Sequence, residues 1–291
     1  MERIRGHIAV LKQTSMKHTI SCICISLACL LSFGCGTERK KAQARLEKAQ
    51  TMFEQGEFIS AKNEIDSIRA LYPKEIDVLK ETLTLMRQVE LKEAERNIAF
   101  CDSLLPSHLQ EFEELKATFT FEKDTAYDLF GTYVRKQQTI ERNVERSYIR
   151  SGVNEQGEVW LASVYFGGKP ILHTGLKLST PNGLYAETTA VPYDGGLNYR
   201  FEDLGNTTEV VTYKGNNGLA ALQFICDNEK ERIRAEYTGG KPYTLYIADG
   251  DKKAVADTYR LAVVLSDIVR MTAEKDKAEK RIVYLNGKLA D

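Results

Sequence analysis

The chain has 291 residues, of which 43% are hydrophobic and 28% charged, with 40 Lys and Arg against 41 Asp and Glu. That balance excludes the strongly basic surface of a nucleic-acid binder, and six cysteines in such a length exclude a disulfide-built scaffold. The length suits one large domain or two modest ones.

In chain order, Met16-Lys17-His18 precede an uncharged apolar run from Ile20 to Phe33. At about 14 residues this run falls short of the roughly 20 that cross a hydrocarbon core, and it has the length of a signal-peptide h-region. Met16 is the expected start, with residues 1–15 an upstream extension. The run ends in Leu31-Ser32-Phe33-Gly34-Cys35, after which Thr37-Glu38-Arg39-Lys40-Lys41 turns polar. This segment resembles the lipobox of bacterial lipoproteins, with the small Gly34 before the cysteine. Ser32 and Phe33 stand where that family prefers leucine and a small residue. The resemblance implies a diacylglycerol on the Cys35 thiol, cleavage of the peptide before that cysteine, and an acylated new amino terminus. Cys29 is the competing cysteine, and a plain secretory signal is the alternative. Several acyl chains hold a protein durably where one holds it marginally. With no acidic cluster and no aspartate just after Cys35, the resemblance implies the periplasmic face of the outer membrane.

Removal of the signal leaves 36 basic against 40 acidic residues, a formal charge of −4, and Cys101 and Cys226 as the remaining thiols, expected free. Residues 36–149 read as a helical domain: Ile76, Leu79, Leu83 and Met86 recur at helical spacing, and Pro73 and Pro106 are expected boundaries. Ala49, Gly56, Phe58, Ala61, Ile65, Ile68 and Pro73 resemble one tetratricopeptide repeat over residues 41–74. The resemblance implies a helical hairpin, although such repeats bury their apolar face by stacking on neighbours. The last helix of this region is expected over 107–149.

From Tyr148 the period drops to two. Strands are predicted at 158–166, 175–179, 185–190, 197–202, 209–213, 219–226, 232–237 and 243–248, separated by turn sequences such as Pro181-Asn182-Gly183 and Asp194-Gly195-Gly196. In the fourth of these strands, Leu197, Tyr199 and Phe201 alternate with Asn198 and Arg200, the pattern of one buried face. Residues 150–250 are thus an antiparallel β-sandwich or barrel inserted in an α+β protein. Residues 251–291 are a C-terminal helix whose Leu261, Val264, Leu265, Ile268 and Met271 stripe needs the preceding long helix as an antiparallel partner; a coiled-coil dimer is the alternative.

Chemistry is sparse. His108 and His173 are the histidines after the signal, neither with a second ligand at metal spacing, so neither a metal nor a cofactor is expected and no catalytic residue is named. Asp249-Gly250-Asp251 reads as a helix cap, and Glu155, Glu158, Asp194 and Glu202 are the carboxylates open to a glycosidase. Asp66-Ser67-Ile68, Asp102-Ser103-Leu104 and Asp124-Thr125-Ala126 resemble the O-glycosylation acceptors of some exported bacterial proteins. Aromatics concentrate in the β region, and Tyr185, Tyr193 and Tyr199 are the candidate ligand face. The expected function is a membrane-anchored, non-catalytic binding or scaffolding lipoprotein with a protein or glycan partner and no nucleic acid. The alternative is a carbohydrate-binding or carbohydrate-processing accessory protein.

Overall fold

A computed structural model describes residues 35–126 and 129–290. The signal and lipidation expectations, at residues 1–34 and the Cys35 thiol, lie outside the described residues. The protein is α+β, and it divides into two compact units, one running to Ile98 and resuming at Lys277, the other Ala99–Asp276.

In the first unit, α1 (Cys35–Glu54) and α2 (Phe58–Leu71) form a hairpin followed by α3 (Ile76–Lys116). The hairpin reverses at Gly56, whose φ of +77° suits glycine, and the Gly56 and Glu57 amides bond back to the Phe53 and Met52 carbonyls. Ala42, Ala49 and Ala61 are fully buried, and these small side chains let the helices approach while Ile65, Ile68 and Val89 fill the core. Glu64 accepts from Arg45 and Lys48 at 2.7 and 3.2 Å. The C-terminal helix α5 (Asp249–Ala290) lies against α3 here, with Arg281 on Glu90 and Arg87 on the Lys288 carbonyl.

The second unit holds two antiparallel sheets. Six strands run in the order β1-β2-β3-β4-β8-β7: β1 (Phe119–Glu122), β2 (Thr132–Arg135), β3 (Tyr148–Asn154), β4 (Val159–Gly167), β7 (Asn198–Asp203) and β8 (Asn206–Lys214). Four more run β10-β9-β5-β6: β5 (Gly175–Ser179), β6 (Tyr185–Glu187), β9 (Arg234–Thr238) and β10 (Tyr243–Tyr246). The main core lies between them: Ile149, Leu161 and Val211 of the larger sheet meet Leu176, Leu178 and Tyr237 of the smaller, with Leu222 and Ile225 of α4 (Leu219–Asp227). Leu261, Ala262 and Leu265 of α5 cover Phe119 and Val153, and they meet Phe112 and Leu115 of α3. Arg260 on Glu111 and Lys275 on Asp102 tie α3 to α5 antiparallel within this unit.

Four expectations are corrected. The helix expected over 107–149 stops at Lys116, because Phe119-Thr120-Phe121 and Thr132-Tyr133-Val134 carry the β-branched and aromatic residues that pair as β1 and β2. Pro106 bounds nothing; α3 runs through it, and the Asp102 and Glu111 ion pairs to α5 straddle the break in its hydrogen bonds. Residues 219–226 are helical rather than extended: Ala221, Leu222 and Ile225 share a helical face, and the run is rich in Ala and Leu. Finally, Tyr199 and Phe201 do not make a buried face. Phe201 is 52% exposed, whereas Asn198 is 5% exposed.

Candidate functional site

That inverted edge strand leads to the site. On the face of the six-stranded sheet away from the core, Tyr148, Val164, Val210 and Tyr199 stand in register across β3, β4, β8 and β7. One step along the strands lies the row Arg150, Ala162, Thr212; one step the other way lies Phe166, Thr208, Phe201. Side chains two apart on a strand share a face, so these rows form one floor. The second sheet packs on the other face; here Tyr148, Ala162, Val164 and Val210 form their own buried cluster beside Trp160 and Tyr199, and the segment from Ile140 to Arg146 walls the hollow above them.

Two adjoining hollows occupy the floor. The first, of about 270 Å³, is bounded by Tyr148, Val164, Val210 and Phe201, with Leu204 and the turn around Val144 as its rim. The second, of about 280 Å³, is lined by Trp160, Thr212 and Lys214. Arg150, Tyr199 and Val210 belong to both. Trp160, the sole tryptophan, lies across Gly152, where an added Cβ would meet its ring at 2.3 Å. Glycine at that strand position is what lets the indole lie down.

Arg150 is the unusual member. It is 9% exposed, its guanidinium lies 5.3 Å from the Trp160 ring, and its Nε is buried with no hydrogen-bond partner among the described residues. The carboxylate of Glu122 stands 4.0 Å away, beyond hydrogen-bond reach. The Nε of Arg135 is likewise buried and unbonded, but that guanidinium has Asp257 at 3.0 Å, whereas Arg150 has no carboxylate within hydrogen-bond reach. Lys214 is exposed and makes no ion pair among the described residues. Burial raises the Tyr148 phenol above its ordinary range, keeping it neutral beside Arg146 and Arg150.

No family model, characterised protein or solved structure matches this chain.

Of the candidate tyrosines, Tyr199 is in the groove. Tyr193 is exposed in the turn before β7 with the Arg200 guanidinium 4.5 Å from its ring, and Tyr185 is exposed on β6 of the other sheet, with Lys177 at 4.9 Å. Tyr185 thus belongs to a different surface. The carboxylates proposed for a glycosidase do not gather. Glu155 accepts from the Gly131 amide, which holds its carboxyl below the usual range, and Asp194 is lowered likewise by the Asn198 and Gly196 amides of its own turn. Glu158 bonds Asn154. Asp251 is buried under burial-raised pKa, accepting from Arg146 and Gln138. Cys101 and Cys226 are free, and burial pushes the Cys226 thiol up to about 12.

One constellation escaped the sequence. Ser163 Oγ lies 2.9 Å from His173 Nε2, and His173 Nδ1 lies 2.8 Å from Glu209. The atom order is that of a nucleophilic triad. Its setting is not: Ser163, His173 and Glu209 are 0, 1 and 2% exposed, inside the core between the sheets. A proton on Nδ1 donates to Glu209, and Nε2 accepts from the Ser163 hydroxyl, which accepts in turn from the Tyr213 phenol 3.0 Å away. Glu209 also takes the Ile171, Leu172 and His173 amides at 2.7, 2.8 and 3.2 Å. The network satisfies buried polar groups and pins the segment before β5, including Leu172 at φ +62°. No approach for a substrate carbonyl opens onto Ser163. Sequence spacing held no signal for it, because the three residues come together only through the β4–β8 pairing and a loop folded over it.

Proposed function

We propose that the protein is a lipid-anchored, non-catalytic binding module of the bacterial cell envelope, held through Cys35 at the periplasmic face of the outer membrane. Its ligand lies on the open face of the six-stranded sheet. The observation that carries this reading is the hollow over Tyr148, Val164, Val210 and Tyr199, rimmed by the exposed Phe201 and Leu204, beside a guanidinium whose buried Nε has no partner among the described residues. Exposed apolar side chains gathered at the rim of a hollow, here Ile140, Val144, Phe201 and Leu204, mark binding surfaces. The lipobox-like segment supports the address, and the mildly acidic balance argues against nucleic acid as the ligand.

Two experiments test the reading. Metabolic labelling with an alkynyl fatty acid is expected to mark the wild type and not Cys35→Ala; label retained in the variant refutes the anchor. A thermal-shift screen against amphiphiles, peptides and glycans is expected to give ligands whose effect is lost in Phe201→Glu, which places a carboxylate on the floor from an exposed edge strand. Ligands unaffected by that change, or none at all, refute the binding face. The second reading, a carbohydrate-binding accessory protein, draws on the flat-lying Trp160 beside the second hollow, since sugars stack on exposed indoles. A glycan array decides between them.

A further inference from the structure

Resting on the reading of this face as the binding face, we infer that its ligand is a single-chain amphipathic carboxylate. The carboxylate sits in the second hollow between Arg150 and Lys214, and an alkyl body lies along the floor of the first.

The polarity of the two hollows fixes the head. Arg150 and Lys214 line the second hollow with the Thr212 hydroxyl, and no carboxylate is among its lining residues. Arg150 offers a planar fork of donors that matches a carboxylate in two parallel bonds, and none of those donors is spent within the described residues. Lys214 adds a second, mobile positive charge at the solvent side. At the opposite end Glu145 and Asp203 line the first hollow, and the cation beside them, Arg146, is already paired with Asp251. A ligand's negative end is therefore repelled there and drawn to Arg150, which sets one orientation.

The floor between these ends fixes the body. Val164, Val210 and Phe201 present carbon and Tyr148 presents mainly its ring, while Asn143, Asn206 and Thr208 stand elsewhere in the lining, so a body laid along this central floor gains most from being apolar. From Ala162, level with Arg150, to Phe166 at the far row is four residues of β4, about 13 Å at roughly 3.3 Å per residue. That is the reach of an extended alkyl chain of medium length.

Trp160 supplies the readout, being the sole tryptophan and a wall of the second hollow. The full chain is titrated with decanoate, decanol and glucuronate while its emission is followed. Decanoate is expected to give a saturable change and to bind about tenfold or more tightly than decanol, as one charge-assisted pair implies. Arg150→Gln and Lys214→Gln are expected to erase that preference, and Phe201→Glu to abolish decanoate binding. Lys214 is exposed and unpaired, so its variant keeps the test sound even if Arg150→Gln disturbs the fold. Equal affinity for decanoate and decanol, with both lost in Phe201→Glu, overturns the carboxylate head and leaves the binding face standing. Preference for glucuronate overturns the alkyl body. Decanoate binding that survives Phe201→Glu, or no saturable change with either alkyl probe, overturns the inference; the former also removes the binding face.

Discussion

The six-stranded sheet has two faces built from the same strands, and they solve the problem of polar groups in opposite ways. On the inner face, Ser163, His173, Glu209 and Tyr213 are sealed from water, and their donors and acceptors are matched. On the outer face, Arg150 is nearly as buried, yet its donors are unused. The inner network is completed within the fold, whereas Arg150 borders a hollow from which the proposed ligand would supply its partner. The inner face holds the more familiar catalytic atom order, but access rather than atom order separates a site from a core network.

This contrast can be broken by substitution. The largest effect is expected on the inner side: Glu209→Leu strands the Ile171, Leu172 and His173 amides together with the imidazole, and should destabilise by about 3–5 kcal/mol in urea unfolding. The Glu209 carboxyl also gives the contrast a pH signature. Burial alone would raise it, but the His173 side chain and the Leu172 and His173 amides outweigh burial and hold it below its ordinary value of 4.5. A lowered folded value means that the stabilisation is complete above the unfolded value and is lost as pH falls through the folded one. Melting temperature should therefore drop on acidification below about 4.5, and drop less steeply in Glu209→Leu. Equal acid sensitivity in both proteins would show that other groups dominate.

A smaller loss is expected for Gly152→Ala on the outer side. The new methyl collides with the Trp160 ring, so the indole must lift at a cost of about 1–3 kcal/mol, visible as a shift in tryptophan emission. The smallest effect on stability is expected at Arg150. Arg150→Met removes a desolvated, unbonded cation, so denaturant midpoints should stay within about 0.5 kcal/mol of wild type or rise, while ligand binding falls. A loss as large as that of Glu209→Leu would make Arg150 structural and erase the distinction between the faces.

Much of this architecture was legible before any coordinates. Helical spacing marked α2, the start of α3 and the whole of α5, and Pro73 closes α2 because the residue before a proline resists the helical region. Turn residues located β5 and β9. The misreadings share a cause: short apolar runs carry both periods weakly. Residues 219–226 were taken by a helix because Ala221, Leu222 and Ile225 meet the core on one helical face, and Phe119-Thr120-Phe121 became a strand because β2 was there to pair with it. At the site, Tyr199 was visible from aromatic patterning alone. Trp160 stood among the β-region aromatics, but Arg150 and Lys214 were not visible, since each is unremarkable on its own strand and they meet only through the β3–β4–β8 register.

By itself the sequence determined what is local. It set the helical beginning and end, the run of short strands between them, and the lipobox-like segment from which the address is proposed, because periodicity, turn chemistry and a signal are properties of neighbouring residues. Only the tertiary structure decided which side of each strand is covered. The alternation of Tyr199 and Phe201 with Asn198 and Arg200 reads the same whether the aromatics face a core or the solvent. A second sheet and α5 pack on one face of the larger sheet and not on the other, which turned Phe201 outward and set Arg150 beside the hollows of that second face.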